Sequence, residues 1–148
     1  MVLTLIASLI IISDFITKRI IVDKVMPLES INVMPFLRIV HVENKGAAFG
    51  LFSNLGNGFF IFIAAVAAIS IFIYALKIAK GAELYAMALI LGGAIGNLID
   101  RVTLGKVIDF IDVFVGKWHW PAFNIADSAL TVGISIFILS NLRLHKSK

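Results

Sequence analysis

The chain has no cysteine among its 148 residues. Disulfides, thiolate nucleophiles and cysteine-based metal sites are therefore excluded. Any catalysis must come from hydroxyls, carboxylates, lysine or the three histidines. Charge is scarce as well: 15% of residues are Asp, Glu, Lys or Arg, against about 25% in a soluble domain. The net charge of +4 is carried by scattered residues. No basic stripe has interleaved aromatics, so nucleic acid is not an expected partner. The one basic run, Arg143, Lys146 and Lys148, reads as a topology signal beside anionic lipid. There is no Gly-x-Ser-x-Gly elbow and no phosphate-binding glycine loop. His41, His119 and His145 lack metal-ligand spacing.

What fills the space left by charge is apolar. Hydrophobic residues make up 60% of the chain, and the mean hydropathy is +1.02. A bilayer-spanning helix needs about 20 mostly apolar residues, so the chain has room for a few spans and no separate soluble domain. Residues 2–22 form a first span. A secretory signal peptide is disfavoured there, because the stretch has no charged n-region, is too long, and is followed by no small-residue cleavage site. A second span covers 58–76 and closes on Lys77 and Lys80; Gly81 turns the chain; a third covers 84–99 and ends at Asp100-Arg101; a fourth covers 125–142. Both termini then share one side. Lysine and arginine are nearly balanced between the two sides, so the positive-inside rule leaves orientation open.

Between the first two spans, Pro27 and Pro35 break helices. Residues 36–42 alternate as a strand, with Leu37, Ile39 and His41 on one face. Asn44 to Gly50 reads as a turn and small-residue loop. Between the last two spans, 107–115 is dense in Val, Ile and Phe. A strand turning at Gly116-Lys117 and returning over 118–123 is favoured by β-propensity. A short amphipathic helix is the rival, since Val107, Ile108, Ile111, Phe114 and Val115 also share a helical face.

The polar residues near the membrane carry the information, because a charge at the bilayer centre is penalised by about 2.5–3.5 kcal/mol on insertion scales. Asp14 and Lys18 lie i, i+4 with Thr17 on the same face. They read either as a structural ion pair or as the lining of a polar cavity. Gly92 and Gly96 form a GxxxG pair suited to close helix packing. Asn97, Asp100 and Arg101 follow at one helix end and suggest a polar network, with a helix cap as the plainer alternative. Asp109 and Asp127 are each embedded in apolar sequence. Singly, either could be a cap. Together they suggest a carboxylate pair that shares a proton, one member acting as base on a water and the other as acid, as in the soluble aspartic proteases. Two other readings stay open on the residues alone. Intramembrane acids and lysines also mark proton-coupled transporters, and the glycine pair alone would suit a non-catalytic membrane subunit.

Five blocks in sequence resemble those of the lipoprotein signal peptidase (signal peptidase II) family. They are Asp14-x-x-Thr17-Lys18; Asn44-Lys45-Gly46-Ala47-Ala48-Phe49-Gly50; Gly92-Gly93-Ala94-Ile95-Gly96-Asn97-Leu98-Ile99-Asp100-Arg101; Val107-Ile108-Asp109-Phe110; and Pro121-Ala122-Phe123-Asn124-Ile125-Ala126-Asp127-Ser128. They span nearly the whole chain. The resemblance implies a single membrane-embedded aspartic peptidase domain over 1–148, with four transmembrane helices, a small extramembrane β-cradle and a flap loop. It implies a bacterial cytoplasmic-membrane enzyme with both termini in the cytoplasm and the site near the outer surface. The substrate would be a diacylglyceryl-modified prolipoprotein, cut just before the lipidated cysteine. Asp109 and Asp127 would be the catalytic dyad. Asn44, Gly46, Asn97, Asp100, Arg101 and Asn124 would shape the site or hold substrate, and Asp14 and Lys18 would support it. No metal or organic cofactor is expected. A monomer is expected, in contact with membrane lipid and sensitive to cyclic peptide antibiotics such as globomycin.

Overall fold

A computed structural model describes residues 1–27, 29–46 and 53–146. The Ala47, Ala48, Phe49 and Gly50 part of the expected loop, and with it the flap, lies outside the described residues, as does the terminal Lys148. The order of elements is α1 (Val2–Lys24), β1 (Ser30–Met34), β2 (Leu37–Asn44), α2 (Asn57–Lys77), α3 (Ala82–Leu104), β3 (Val107–Val115), β4 (Trp118–His119) and α4 (Ile125–Lys146).

Among the described residues, three helices are long and apolar enough to cross a membrane: α2, α3 and α4 over Ile125–Leu142. The α1 helix has 23 residues, but any bilayer-length stretch of it includes Asp14, Lys18 and Arg19. The bundle is built around α3, which packs against α1, α2 and α4. Its core is made of small and medium side chains, among them Leu3, Ala7, Ala75, Ala86, Met87 and Leu91.

Close approach at α3 depends on glycine, and the face each glycine serves differs. Gly92 and Gly96 look at α1: a Cβ on Gly92 would meet the Ala7 carbonyl at 3.0 Å, and one on Gly96 the Asp14 Oδ2 at 2.9 Å. Gly93 looks at α4, where a Cβ would collide with the Ala126 carbonyl oxygen. Gly92 therefore serves the α1 interface and Gly93 the α4 interface, while Gly96 stands close to both, its Cβ position 3.2 Å from the Ala126 Cβ.

The third helix does not end at Asp100-Arg101 as the sequence suggested. It continues one turn to Leu104 and stops at Gly105, whose φ of 74° supplies the left-handed cap. Asp100 and Arg101 thus sit in the last turn and point inward, both buried.

The strands form one antiparallel sheet in the order β1-β2-β3-β4. Residues 107–115 are a strand and not the rival helix; the turn after it uses Gly116 at φ 61°. The returning strand is shorter than expected. Only Trp118 and His119 pair regularly; Pro121 has no N–H to donate, and the ladder resumes as an isolated bridge between Ile111 and Phe123. The alternation expected in 36–42 is broken too. Ile39 pairs with Ile111 but Val42 pairs with Asp109, so one extra residue bulges β2 at Val40–His41. Both bulge residues are buried as a result. Strand β1 is exposed throughout; with no buried face it leaves no hydrophobic pattern to read. Ile21 and Val25 of the α1 end pack on Ile108 and Phe110, joining sheet to bundle.

Gly93→Ala is expected to lower the thermal unfolding midpoint in detergent by several degrees, since overpacking costs about 1–3 kcal/mol. Gly58→Ala, where a Cβ meets nothing within 4 Å, is expected to leave it unchanged or slightly raised. Equal midpoints for the two variants would show that the α3–α4 approach is not set at Gly93.

Candidate active site

The site lies where the sheet meets the helix ends nearest it. Its first member comes from the strand register. With the bulge in place, Val42 stands opposite Asp109 and Asn44 opposite Val107. Asp109 turns inward and is 2% exposed. The Asn44 amide donates to Asp109 Oδ2 at 3.1 Å, while the Asn44 side-chain oxygen accepts from the Gly46 N–H at 3.0 Å.

The second member comes from the start of α4. Asn124 precedes the helix and caps it: its Oδ1 accepts from the Asp127 N–H at 2.8 Å, and Asp127 Oδ2 accepts from the Asn124 N–H at 3.3 Å. This is a reciprocal capping box built from Asn and Asp. Asp127 is therefore part of a cap, as one reading of the sequence had it, with Asn124 as the capping residue. The cap has a second use. The Asn124 amide also donates to Asp109 Oδ1 at 2.8 Å. One fully buried side chain thus joins the two aspartates.

The third layer comes from α3 and α1. The Asn97 amide donates to Asp127 Oδ1 at 2.7 Å, and its oxygen accepts from Lys18 Nζ at 3.0 Å. Lys18, 3% exposed, also pairs with Asp14 at 2.7 Å and Asp100 at 3.0 Å. Asp14 Oδ1 accepts from the Ala126 N–H at 2.9 Å, and Asp100 Oδ2 accepts from the Ile108 N–H at 3.0 Å. Arg101 donates from Nη2 to the Gly46 carbonyl at 2.6 Å. The structure therefore brings together all ten residues that the sequence singled out. Asp14 and Lys18 form the ion pair that the sequence offered as one reading of them, and both bond onward to the neighbouring helices.

Some residues lie apart. His41 sits at the bulge with Nδ1 2.8 Å from the Val25 carbonyl, tying sheet to the α1 end. His119 and Arg38 both bond Asp112 on the outward part of the sheet. Among the described residues, no cluster of three or more His, Asp or Glu could hold a metal ion. Sequence reasoning missed Asn57 and Phe60, which contact Arg101; each lies in the featureless stretch around the second span, and only the fold brings it to the site.

Burial, and next the neighbouring charge of Asp127, push the Asp109 carboxyl up to about 7, against the bonds from Asn44 and Asn124. At Asp112 burial acts upward too, but the bonds from His119 and Arg38 outweigh it and hold that carboxyl below its usual range. Two carboxyls in one donor-lined site, one titrating near neutrality, can accept and deliver a proton at physiological pH.

Fold and site together define a helical membrane protein with a joined carboxylate pair at one end of its bundle. A family model described as signal peptidase (SPase) II matches residues 6–143. The chain is 44% identical over 135 residues to the lipoprotein signal peptidase of Thermodesulfovibrio yellowstonii, covering 91% of this chain and 90% of that one. It is 50% identical over 142 residues to that of Janthinobacterium, covering 93% and 86%. A solved bacterial membrane enzyme, determined in meso at 2.3 Å, superposes with a TM-score of 0.92 at 38% identity, covering 99% of this chain and 90% of that chain. The chain belongs to the signal peptidase II family and is a peptidase of lipoprotein processing.

A carboxyl raised from 3.8 to about 7 on folding keeps its proton in the folded state over a range where the unfolded chain loses it. Its contribution to stability is full below pH ~4 and is lost as pH rises through about 7. Asp109→Asn is therefore expected to flatten the fall in unfolding midpoint between pH 4 and 8. Parallel slopes for parent and variant would show that Asp109 is not the group responsible.

Proposed function

We propose that the chain removes the signal peptide from diacylglyceryl-modified prolipoproteins by hydrolysing the peptide bond just before the lipidated cysteine, with Asp109 and Asp127 as the catalytic pair. The observation that carries this reading is the Asn124 bridge: its amide donates to Asp109, and its oxygen and N–H are both bonded to Asp127. A bond of this kind holds two carboxylates in one place while leaving lone pairs on each for water and substrate.

The pair shares a proton, because like charges in a dry site cannot both ionise easily. The ionised member takes a proton from water as that water attacks the scissile carbonyl. The protonated member donates to the carbonyl oxygen, and the departing nitrogen is protonated as the C–N bond breaks. Asn97 holds Asp127, and Asn44 holds Asp109. Gly46 and Arg101 border the pair and are suited to holding substrate backbone. Asp14, Lys18 and Asp100 keep the helix ends in register around it.

In this reading α1 is a fourth spanning helix. Of Asp14, Lys18 and Arg19, the first two face α3 and are buried against it, and the exposed Arg19 lies over the Phe15 ring in the C-terminal part of the helix. The sheet is the extramembrane cradle. Both termini are cytoplasmic and the pair lies near the outer surface of the bacterial inner membrane, where a lipid-anchored substrate presents its cleavage site. Residues 1–148 act as one peptidase domain and as a monomer, a reading supported by the described residues around the pair all coming from this one chain. A cyclic peptide such as globomycin would compete at the pair. The transporter and non-catalytic subunit readings give way to membership of a peptidase family.

Purified protein is expected to cleave a diacylglyceryl-modified prolipoprotein before its cysteine. Asp109→Asn and Asp127→Asn are each expected to lower kcat by about 10²–10⁴-fold while the fold is kept. Near-parent turnover in either folded variant would remove that aspartate from the chemistry.

A further inference from the structure

Arg101 has three contacts outside the carboxylates. Its Nη2 donates to the Gly46 carbonyl at 2.6 Å. Its guanidinium carbon lies over the Phe60 ring, 4.4 Å from the centroid. Its own backbone carbonyl, in the last turn of α3, accepts from the Asn57 amide at 2.8 Å. The charges acting on the guanidinium are those of Asp109, Asp127 and Asp100. Arg101 is 8% exposed.

We propose that Asn57 and Phe60, in the first turn of α2, are positioning residues that orient the Arg101 guanidinium, and through it the Gly46 carbonyl, beside the Asp109–Asp127 pair. The inference rests on the peptidase reading above. Asn57 and Phe60 belong to none of the five blocks by which the family is recognised, and among the described residues no other side chain of α2 bonds to the network around the pair.

The physical argument has two parts. The side chain of Arg is long, and a guanidinium directs its donors in one plane. Coulomb attraction to the acids draws the group toward the pair but does not fix that plane. An aromatic face does: a cation over the ring is attracted by the ring quadrupole, more strongly when desolvated. Phe59 packs against Phe60 at 5.6 Å with the rings 80° apart, which holds the Phe60 ring in turn. The second part concerns the backbone. The last carbonyls of a helix lack intrahelical partners. The Arg101 carbonyl accepts from the Gly105 N–H at 3.2 Å, and Asn57 supplies a second donor, so the turn that carries Arg101 is fixed from α2. Arg101 thereby contacts both Gly46, just after β2, and Asn57 and Phe60, at the start of α2.

Neither Asn57 nor Phe60 touches the carboxylates in this arrangement, so their effect should be on rate through placement. Replacing Phe60 by phenylalanines carrying one, two and three ring fluorines keeps shape and apolarity but weakens the quadrupole stepwise. For cleavage of a diacylglyceryl-modified prolipoprotein, kcat is expected to fall with each fluorine, by roughly tenfold across the series, with KM within about twofold. Phe60→Leu should match the far end of the series and Phe60→Tyr should recover the parent rate. Asn57→Ala should lower kcat independently of the ring. A flat fluorine series with Phe60→Leu as active as Phe60→Tyr would overturn the inference, leaving Phe60 as packing only, while the peptidase reading would stand. A parent protein that fails to cleave under conditions where it is folded would overturn the peptidase reading and this inference with it.

Discussion

Lys18 has nowhere to put its charge except inside the protein. An ammonium group nine-tenths and more buried must be met by acids and hydrogen-bond acceptors or not ionise there at all. Three acceptors meet it: Asp14 from the same helix, Asp100 and Asn97 from α3. The two acids pass the constraint on. Asp14 accepts from the backbone of α4 at Ala126, and Asp100 from the backbone of β3 at Ile108. One cation thus fixes α1, α3, α4 and the sheet relative to one another. Removing a single partner of such a buried group typically costs about 3–5 kcal/mol, a large fraction of a typical domain's stability.

The same cation sets the direction of the hydrogen bonds that reach the carboxylates. Lysine only donates, so the Asn97 oxygen must face it and the Asn97 amide must face Asp127. Asn124 then presents its oxygen to the Asp127 N–H and its amide to Asp109. Asn44 supplies the last donor from the opposite side. Side-chain amides stand between Lys18 and the carboxylates of Asp109 and Asp127, so the protein solvates those two acids without pairing them directly with the cation. Lys18 does not touch Asp109 or Asp127; it acts on them through two amides whose orientation it decides.

Packing serves that chain. The network is short because the helices come close, and they come close because α3 has no side chain where α1 and α4 cross it. The two contacts are on adjacent residues, Gly92 and Gly93, so α3 is approached from two sides at one level. Gly96, a turn further on, brings the Asp14 carboxylate against the α3 backbone. On α4 the same device recurs at Gly133, where a Cβ would meet the Ala86 carbonyl at 2.9 Å. By contrast α2 is nearly all outward-facing, and its part in the site is confined to its first turn.

Much of this was legible in the residues. A chain so poor in charge had to place its few buried ions on purpose, so Asp14, Lys18, Asn97, Asp100, Arg101, Asp109, Asn124 and Asp127 stood out against an apolar background. The helices were readable from length and hydropathy, and β3 from its branched residues. Other features left no such trace. Strand β1 has no buried face to impose a period, the bulge at Val40–His41 depends on what β3 offers opposite, and the reach of α3 to Leu104 was hidden by taking Asp100-Arg101 as a terminus. Asn57 and Phe60 look like the ordinary start of an apolar helix until Arg101 is seen beneath them. The sequence by itself determined which side chains could not be left in lipid, because the cost of an unpaired charge is local. Only the tertiary structure decided which of them meet and in what direction each bond runs, because pairing depends on distances between segments as far apart in the chain as Asp14 and Ala126.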